Sequence, residues 1–154
     1  MSHPPLPARW EHFEHGADIG VRGLAPTRAG AFEQAALALT AVIADPAGVQ
    51  AREAVPIRCA APDAELLLLD WLNALVSAMA LRRMLFGRFT VTITPSAGPG
   101  EGPGGLALEG VARGEPLDPA RHDPAVEVKG ATCTSLRVAP TPEGGWLAQT
   151  VVDV

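Results

Sequence analysis

A chain of 154 residues is the size of one ordinary domain and is long enough to bury about two thirds of the surface its unfolded form exposes. It is 47 % hydrophobic and 19 % charged, with a mean hydropathy of +0.16, which excludes the disordered class; with three Trp, four Phe and no Tyr, the core must come from Leu, Val, Ile and Ala. A formal charge of −5 and a pI near 5.3 speak against a protein that grips phosphates by itself, so any link to RNA is expected to be indirect.

Residues 1–9 hold three prolines and no apolar run of signal-peptide length, and are read as a disordered tail ahead of one domain over 10–154. Glu11–His15 is a candidate strand, followed by a charged, glycine-bearing turn over Phe13–Gly20. From Arg28 to Ala44, Phe32, Ala35, Ala36, Leu39, Val42 and Ile43 recur at helical spacing, with Thr27 placed to cap the helix and Asp45-Pro46 to end it. Val55–Ala60 is a second candidate strand.

A second helix is predicted over Ala64–Arg82, with Asp63 and Glu65 at its positive end and Arg82 and Arg83 at its negative one. Its apolar residues run almost all the way round, which predicts a buried central helix with Asp70, Asn73 and Ser77 on one wetter stripe; Trp71 is expected in the core. The apolar window Leu66–Leu81 is broken by Asp70 and Asn73 and falls short of the about 20 residues a bilayer span needs, so no membrane association and a cytoplasmic location are expected.

Phe89, Val91 and Ile93 alternate with three threonines, the period of a half-buried strand. Pro95–Gly105 reads as a surface loop, and Leu106–Arg113, Val126–Thr134 and Trp146–Val154 as further strands, with Glu143-Gly144-Gly145 turning a C-terminal hairpin. Two helices packed on a largely antiparallel sheet make an α+β domain.

Common catalytic patterns are missing. The glycine-rich segment has no Gly-Lys-Ser/Thr ending, Ser77, Ser96 and Ser135 sit in no nucleophile elbow, and neither cysteine has a histidine near it in sequence. Cys59 and Cys133 are too few for a disulfide framework or a thiolate metal site and read as small buried hydrophobes. His12, His15 and Asp18 invite a metallohydrolase reading, but strand positions three apart face opposite sides. Asp18 reads as a ligand or a turn residue, His15 as a group that orients Asp18 or simply packs, and His122 as a loop anchor.

Three motifs occur in order: Phe13-Glu14-His15-Gly16-Ala17-Asp18-Ile19-Gly20, Ala31-Phe32-Glu33-Gln34-Ala35-Ala36, and Leu68-Leu69-Asp70-Trp71-Leu72-Asn73. They are followed by Gly114-Glu115-Pro116-Leu117-Asp118 with Arg121-His122, then Glu127–Thr132, Gly145-Trp146 and Val152-Asp153-Val154. In this set the chain resembles the archease family from about residue 10 to its last residue. One position departs: Gly16 stands where the family usually has threonine or serine, so a hydroxyl that could bond the site is missing.

The resemblance implies a non-catalytic accessory protein that activates an RtcB-type RNA ligase in tRNA splicing and RNA repair, promoting ligase guanylylation and multiple turnover. It also implies a divalent metal site, taken as calcium, whose ligands map to Asp18, Asp153 and the carboxylate of Val154. Calcium chemistry suits such hard oxygens, and two acids left unpaired would repel unless a cation or basic group neutralised them. Lys129 is the basic candidate, implied by the resemblance to act in ligase activation; the bland alternatives are an edge-protecting lysine and a solvated Asp153 at a strand end. Two rival functions stand beside this one: a small metal-dependent hydrolase using Asp18, His15 and Asp153, and a general chaperone for RNA-processing proteins that would not need Asp18.

Overall fold

A computed structural model describes residues 6–96 and 104–154. The tail's first five residues, with His3, and the centre of the glycine-rich loop lie outside the described residues. The elements follow as β1 (Arg9–His15), β2 (Asp18–Ala25), α1 (Arg28–Ile43), a 3-10 turn (Pro46–Gly48), β3 (Glu53–Ala61), α2 (Ala64–Arg82), β4 (Met84–Pro95), β5 (Leu106–Pro116), a single helical turn α3 (Pro119–His122), β6 (Gly130–Ala131), β7 (Arg137–Pro140) and β8 (Trp146–Asp153).

The helix boundaries follow local chemistry. Thr27 accepts a hydrogen bond from the Gly30 N–H at 3.0 Å, and α1 ends where Ala44 turns extended ahead of Asp45-Pro46. Asp63 caps α2 by accepting from the Leu66 N–H at 2.8 Å, and Arg83 closes it in the left-handed region at φ 53°.

The class is α+β with antiparallel pairing throughout, and the strands divide over two sheets. One runs β1-β2-β8, with β6 and β7 one after the other along the far edge of β8; the other runs β3-β5-β4. β7, a strand the sequence reading does not place, forms the C-terminal hairpin with β8 around the expected turn: the Thr141 N–H donates to the Gly145 oxygen at 2.9 Å, and Gly144 takes the positive φ of 87° that the turn needs.

Three further strands differ from the sequence reading. β2 occupies what was read as a turn; Gly20 and Gly23 weaken its strand signal, yet close packing demands them. A Cβ at Gly20 would strike the Phe13 ring at 2.4 Å, and one at Gly23 would meet the α1 backbone at Ala31 O, 2.1 Å away. β4 begins at Met84, five residues before Phe89. Met84, Leu85 and Phe86 are all buried, and the register slips between Phe86 and Arg88, so the period of two is broken there. The strand expected over Val126–Thr134 shrinks to Gly130–Ala131, because the Ala125 N–H bonds the Ile43 oxygen at the end of α1 (2.8 Å) and draws the preceding chain off the sheet.

The core gathers Phe32 and Leu39 from α1, Leu67, Leu68, Trp71, Leu72 and Leu75 from α2, and Phe86 and Leu108 from the smaller sheet. The Trp71 indole donates to the Phe32 oxygen at 3.1 Å, so its one polar atom is satisfied. α2 is long and apolar enough to cross a membrane by length and composition alone, but one face of it packs in this core. Its exposed part is wider than the expected stripe of Asp70, Asn73 and Ser77: Leu81 is 86 % exposed and Leu66 38 %. Ala74, Ala78 and Ala80 read as apolar while having little surface to bury.

Helix side chains close the sheet edges. Glu33 accepts from the Val91 N–H at 2.8 Å, Thr40 donates to the Phe86 oxygen at 2.8 Å, and Glu65 accepts from the Val138 N–H at 2.8 Å. Each removes an unpaired strand group from competition for other chains.

Candidate functional site

β1 and β2 join through two residues, Gly16 and Ala17, between the paired His15 and Asp18. Gly16 has φ 60° and Ala17 has no positive φ, the pattern of a II′ hairpin turn with glycine at its first central position. The turn therefore ends β1 at His15 and starts β2 at Asp18, side by side at one end of the larger sheet.

From there the register carries across. Ile19 pairs with Val152, so one step further brings Asp18 opposite Asp153, and Asp153 in turn pairs with Gly130 of β6. His15, Asp18, Asp153 and Gly130 thus form one row across four strands. Opposite positions of an antiparallel pair share a face. That face also carries Glu11, Arg22 and Gln149, joined by Arg22 Nη1 to Glu11 Oε1 at 2.7 Å and Arg22 Nε to Gln149 Oε1 at 2.8 Å. The hydrogen bonds from Arg22 and then Arg9 lower the Glu11 pKa.

The opposite face holds α1. His12, three residues before His15, points there and shares a 2.8 Å hydrogen bond with the Ala38 oxygen. The two histidines therefore sit on opposite faces, as a period of two requires. Among the described residues no group of three or more His, Cys, Asp and Glu side chains is placed to hold a metal ion. The row supplies two carboxylates, from Asp18 and Asp153, to which main-chain or terminal oxygens and water would have to be added. That donor set fits calcium or magnesium and not zinc.

Lys129 is exposed, and its N–H donates to the Asp153 oxygen at 2.8 Å. Its main chain is thereby fixed to the row. Val154 is half-buried, with its side chain packed against the core. The neighbouring Ala131 is gripped by Asn73 of α2: the Ala131 N–H donates to Asn73 Oδ1 at 2.8 Å, and Asn73 Nδ2 donates to the Ala131 oxygen at 3.2 Å. The sequence put Asn73 on a wet stripe of the helix; nothing in its spacing told that the partner would be a backbone 58 residues away.

A second polar centre lies at the end of β5. Glu115 is only 1 % exposed, and its carboxylate accepts from the Gln50 N–H at 2.6 Å, from His122 Nε2 at 3.1 Å and from Arg121. Arg121 and the Gln50 N–H hold the Glu115 pKa down to about 2, against the opposing effect of burial. His122 Nδ1 accepts from the Asp118 N–H at 2.9 Å, which leaves the ring proton on Nε2, facing Glu115. His122 is thus the anchor of its loop, as its setting suggested.

The cysteines differ from expectation. Cys133 is exposed in the link between β6 and β7, and Cys59 is half-buried on edge strand β3, where burial and then the Asp70 charge push its thiol up to about 11. An apolar cavity of about 650 Å³ lies between the end of α2 and the segment 124–128, lined by Val76, Met79, Met84, Leu117, Val126 and Val128 among others.

A small α+β domain of two antiparallel sheets, with an acidic row at one sheet end, is of a class shared with known proteins. The model of the Archease protein family (MTH1598/TM1083) matches residues 10–154, so the chain belongs to the archease family. It is 37 % identical over 146 residues to "Protein archease" of Pyrococcus furiosus, covering 95 % of this chain and 99 % of that one. To "Protein archease" of Methanosarcina acetivorans it is 34 % identical over 151 residues, covering 98 % and 99 %. The solution structure of Methanobacterium thermoautotrophicum protein 1598 superposes with a TM-score of 0.79 at 29 % identity, over 94 % of this chain and 98 % of that one. Membership of the family supports an accessory-protein role.

Proposed function

We propose that this protein is a non-catalytic, cytoplasmic activator of an RtcB-type RNA ligase, meeting RNA only through that ligase and promoting its guanylylation and multiple turnover. The observation that carries the reading is the row that places Asp18 opposite Asp153, with Lys129 tied to Asp153 through the main chain, in a chain of the archease family. Asp18, Asp153 and Val154 would hold a calcium ion, which would join two acidic strand ends that otherwise repel. Lys129, exposed beside them, is the side chain offered to the ligase, and His15 continues the same row.

An activator of this kind adds no bond-making group. It shifts the ligase toward a guanylylation-competent arrangement by binding that state more tightly than the resting one. The deciding experiment measures guanylylation and multiple-turnover ligation by a matched ligase, with the intact chain, Asp18→Ala and Lys129→Ala. Stimulation that both substitutions abolish is expected. No stimulation at stoichiometric amounts, or metal-dependent hydrolysis by this protein with no ligase present, would overturn the reading.

A further inference from the structure

We infer that Asn73 is a positioning residue for the activating site, a role that rests on the function just proposed. Its side chain closes a two-bond ring on one residue, accepting from the Ala131 N–H at 2.8 Å and donating to the Ala131 oxygen at 3.2 Å. A carboxamide carries the acceptor and the donor side by side: an aspartate keeps the acceptor and loses the donor, and an alanine loses both.

What it grips is the short strand that completes the acidic row. β6 is two residues long and held to β8 through the pairs Gly130 with Asp153 and Ala131 with Val152. The Lys129 N–H reaches the Asp153 oxygen one residue earlier. After β6, Thr132 holds the chain to β8 through its N–H and hydroxyl, both donating to the Val151 oxygen at 2.9 Å, but the chain before β6 is irregular from Asp123 to Lys129. Asn73 supplies a fixed point from outside the sheet, because α2 is anchored in the core by Trp71 and Leu72 before it and Leu75 after it, all fully buried. Gly130 belongs to the same arrangement: a Cβ there would come within 3.3 Å of Asn73 Oδ1, a tight contact that would press on the clamp. Through this clamp α2 sets where the Lys129 backbone stands relative to Asp153. The Asn73 side chain itself reaches the backbone and not the row, so it acts on the site only through β6.

The test separates positioning from folding by titrating the activator against a fixed amount of ligase. A variant that is merely less folded needs more protein for half-maximal stimulation and reaches the same plateau in excess. A misplaced Lys129 lowers the plateau itself. Asn73→Ala and Asn73→Asp are titrated beside the intact chain and Val55→Ala, a core truncation in the other sheet, with the folded fraction of each followed by circular dichroism. The expected result is a plateau at least about fivefold lower for Asn73→Ala, an intermediate one for Asn73→Asp, and an undiminished one for Val55→Ala. An intact plateau for Asn73→Ala, or an equal loss in Val55→Ala, overturns the role of Asn73 alone. No stimulation by the intact chain overturns the function on which it rests.

Discussion

His122 donates from Nε2 to Oε2 of Glu115 across 3.1 Å, both side chains buried. The pair joins the helical turn α3 to the end of β5, while the Gln50 N–H ties the same carboxylate to the chain leaving the 3-10 turn. One carboxylate therefore gathers three segments that no regular element connects.

A pH dependence follows from that carboxylate. Its folded-state pKa is about 2, below the ordinary 4.5, so its stabilising contribution is complete above about 4.5 and is lost as pH falls toward about 2. Denaturant midpoints taken across this window should fall in the intact chain. Glu115→Gln should be less stable at pH 7 and should show a flatter profile between pH 4.5 and 2. A profile as steep as that of the intact chain would mean that other acids set the acid limit.

The two thiols should differ sharply in reactivity. With Cys59 raised to about 11 from the ordinary 9.0, its thiolate is about 100-fold rarer at pH 8, since each pKa unit is a factor of ten. It is also half-buried, whereas Cys133 is exposed. Iodoacetamide on the native protein should label Cys133 first, with Cys59 labelled at a comparable rate only after denaturation. Peptide mass mapping over a time course decides it, and early labelling of Cys59 would contradict its setting.

Gly16 shows a constraint that the sequence does not carry on its face. A missing hydroxyl was the obvious consequence of glycine at this position, but the backbone stands at φ 60°, and open space surrounds the point where a Cβ would go. The obstacle to threonine is conformational and not steric crowding. Gly16→Thr should destabilise by about 1–3 kcal/mol, the cost of forcing an L side chain into a positive-φ position that favours glycine, read as a lower urea midpoint. An unchanged or higher midpoint would mean that the turn adopts another geometry once the side chain is present.

Legibility divides along the same line between local and long-range causes. Both long helices were readable because Thr27 and Asp63 cap them and Asp45-Pro46 stops one, all within a few residues. The half-buried part of β4 was readable by its alternation; Met84–Phe86 was not, because a register slip and three consecutive buried residues hide the period. β2 was missed because Gly20 and Gly23 weaken propensity, and their reason, contact with Phe13 and with α1, exists only in the folded state. Resemblance singled out Asp18, Asp153 and Lys129. The clamp from Asn73 to Ala131 and the convergence on Glu115 needed coordinates, since both join segments far apart in sequence.

Asp18 and Asp153 give the most direct test of the row without any partner. Like charges opposite each other across strands destabilise by a few tenths of a kcal/mol at an exposed sheet end, so without added metal Asp18→Asn should be as stable as the intact chain or slightly more so. With calcium the order should reverse. A ligand at about 100 times its Kd stabilises the state that binds it by about 2.7 kcal/mol, which for a domain of this size is about 5–10 °C in Tm. The intact chain should gain that shift and Asp18→Asn should lose most of it, in melts that compare calcium with a chelator. Equal shifts in the two proteins would place any calcium elsewhere; no shift in either would leave the acidic row without a metal and return Asp18 to the role of a turn residue.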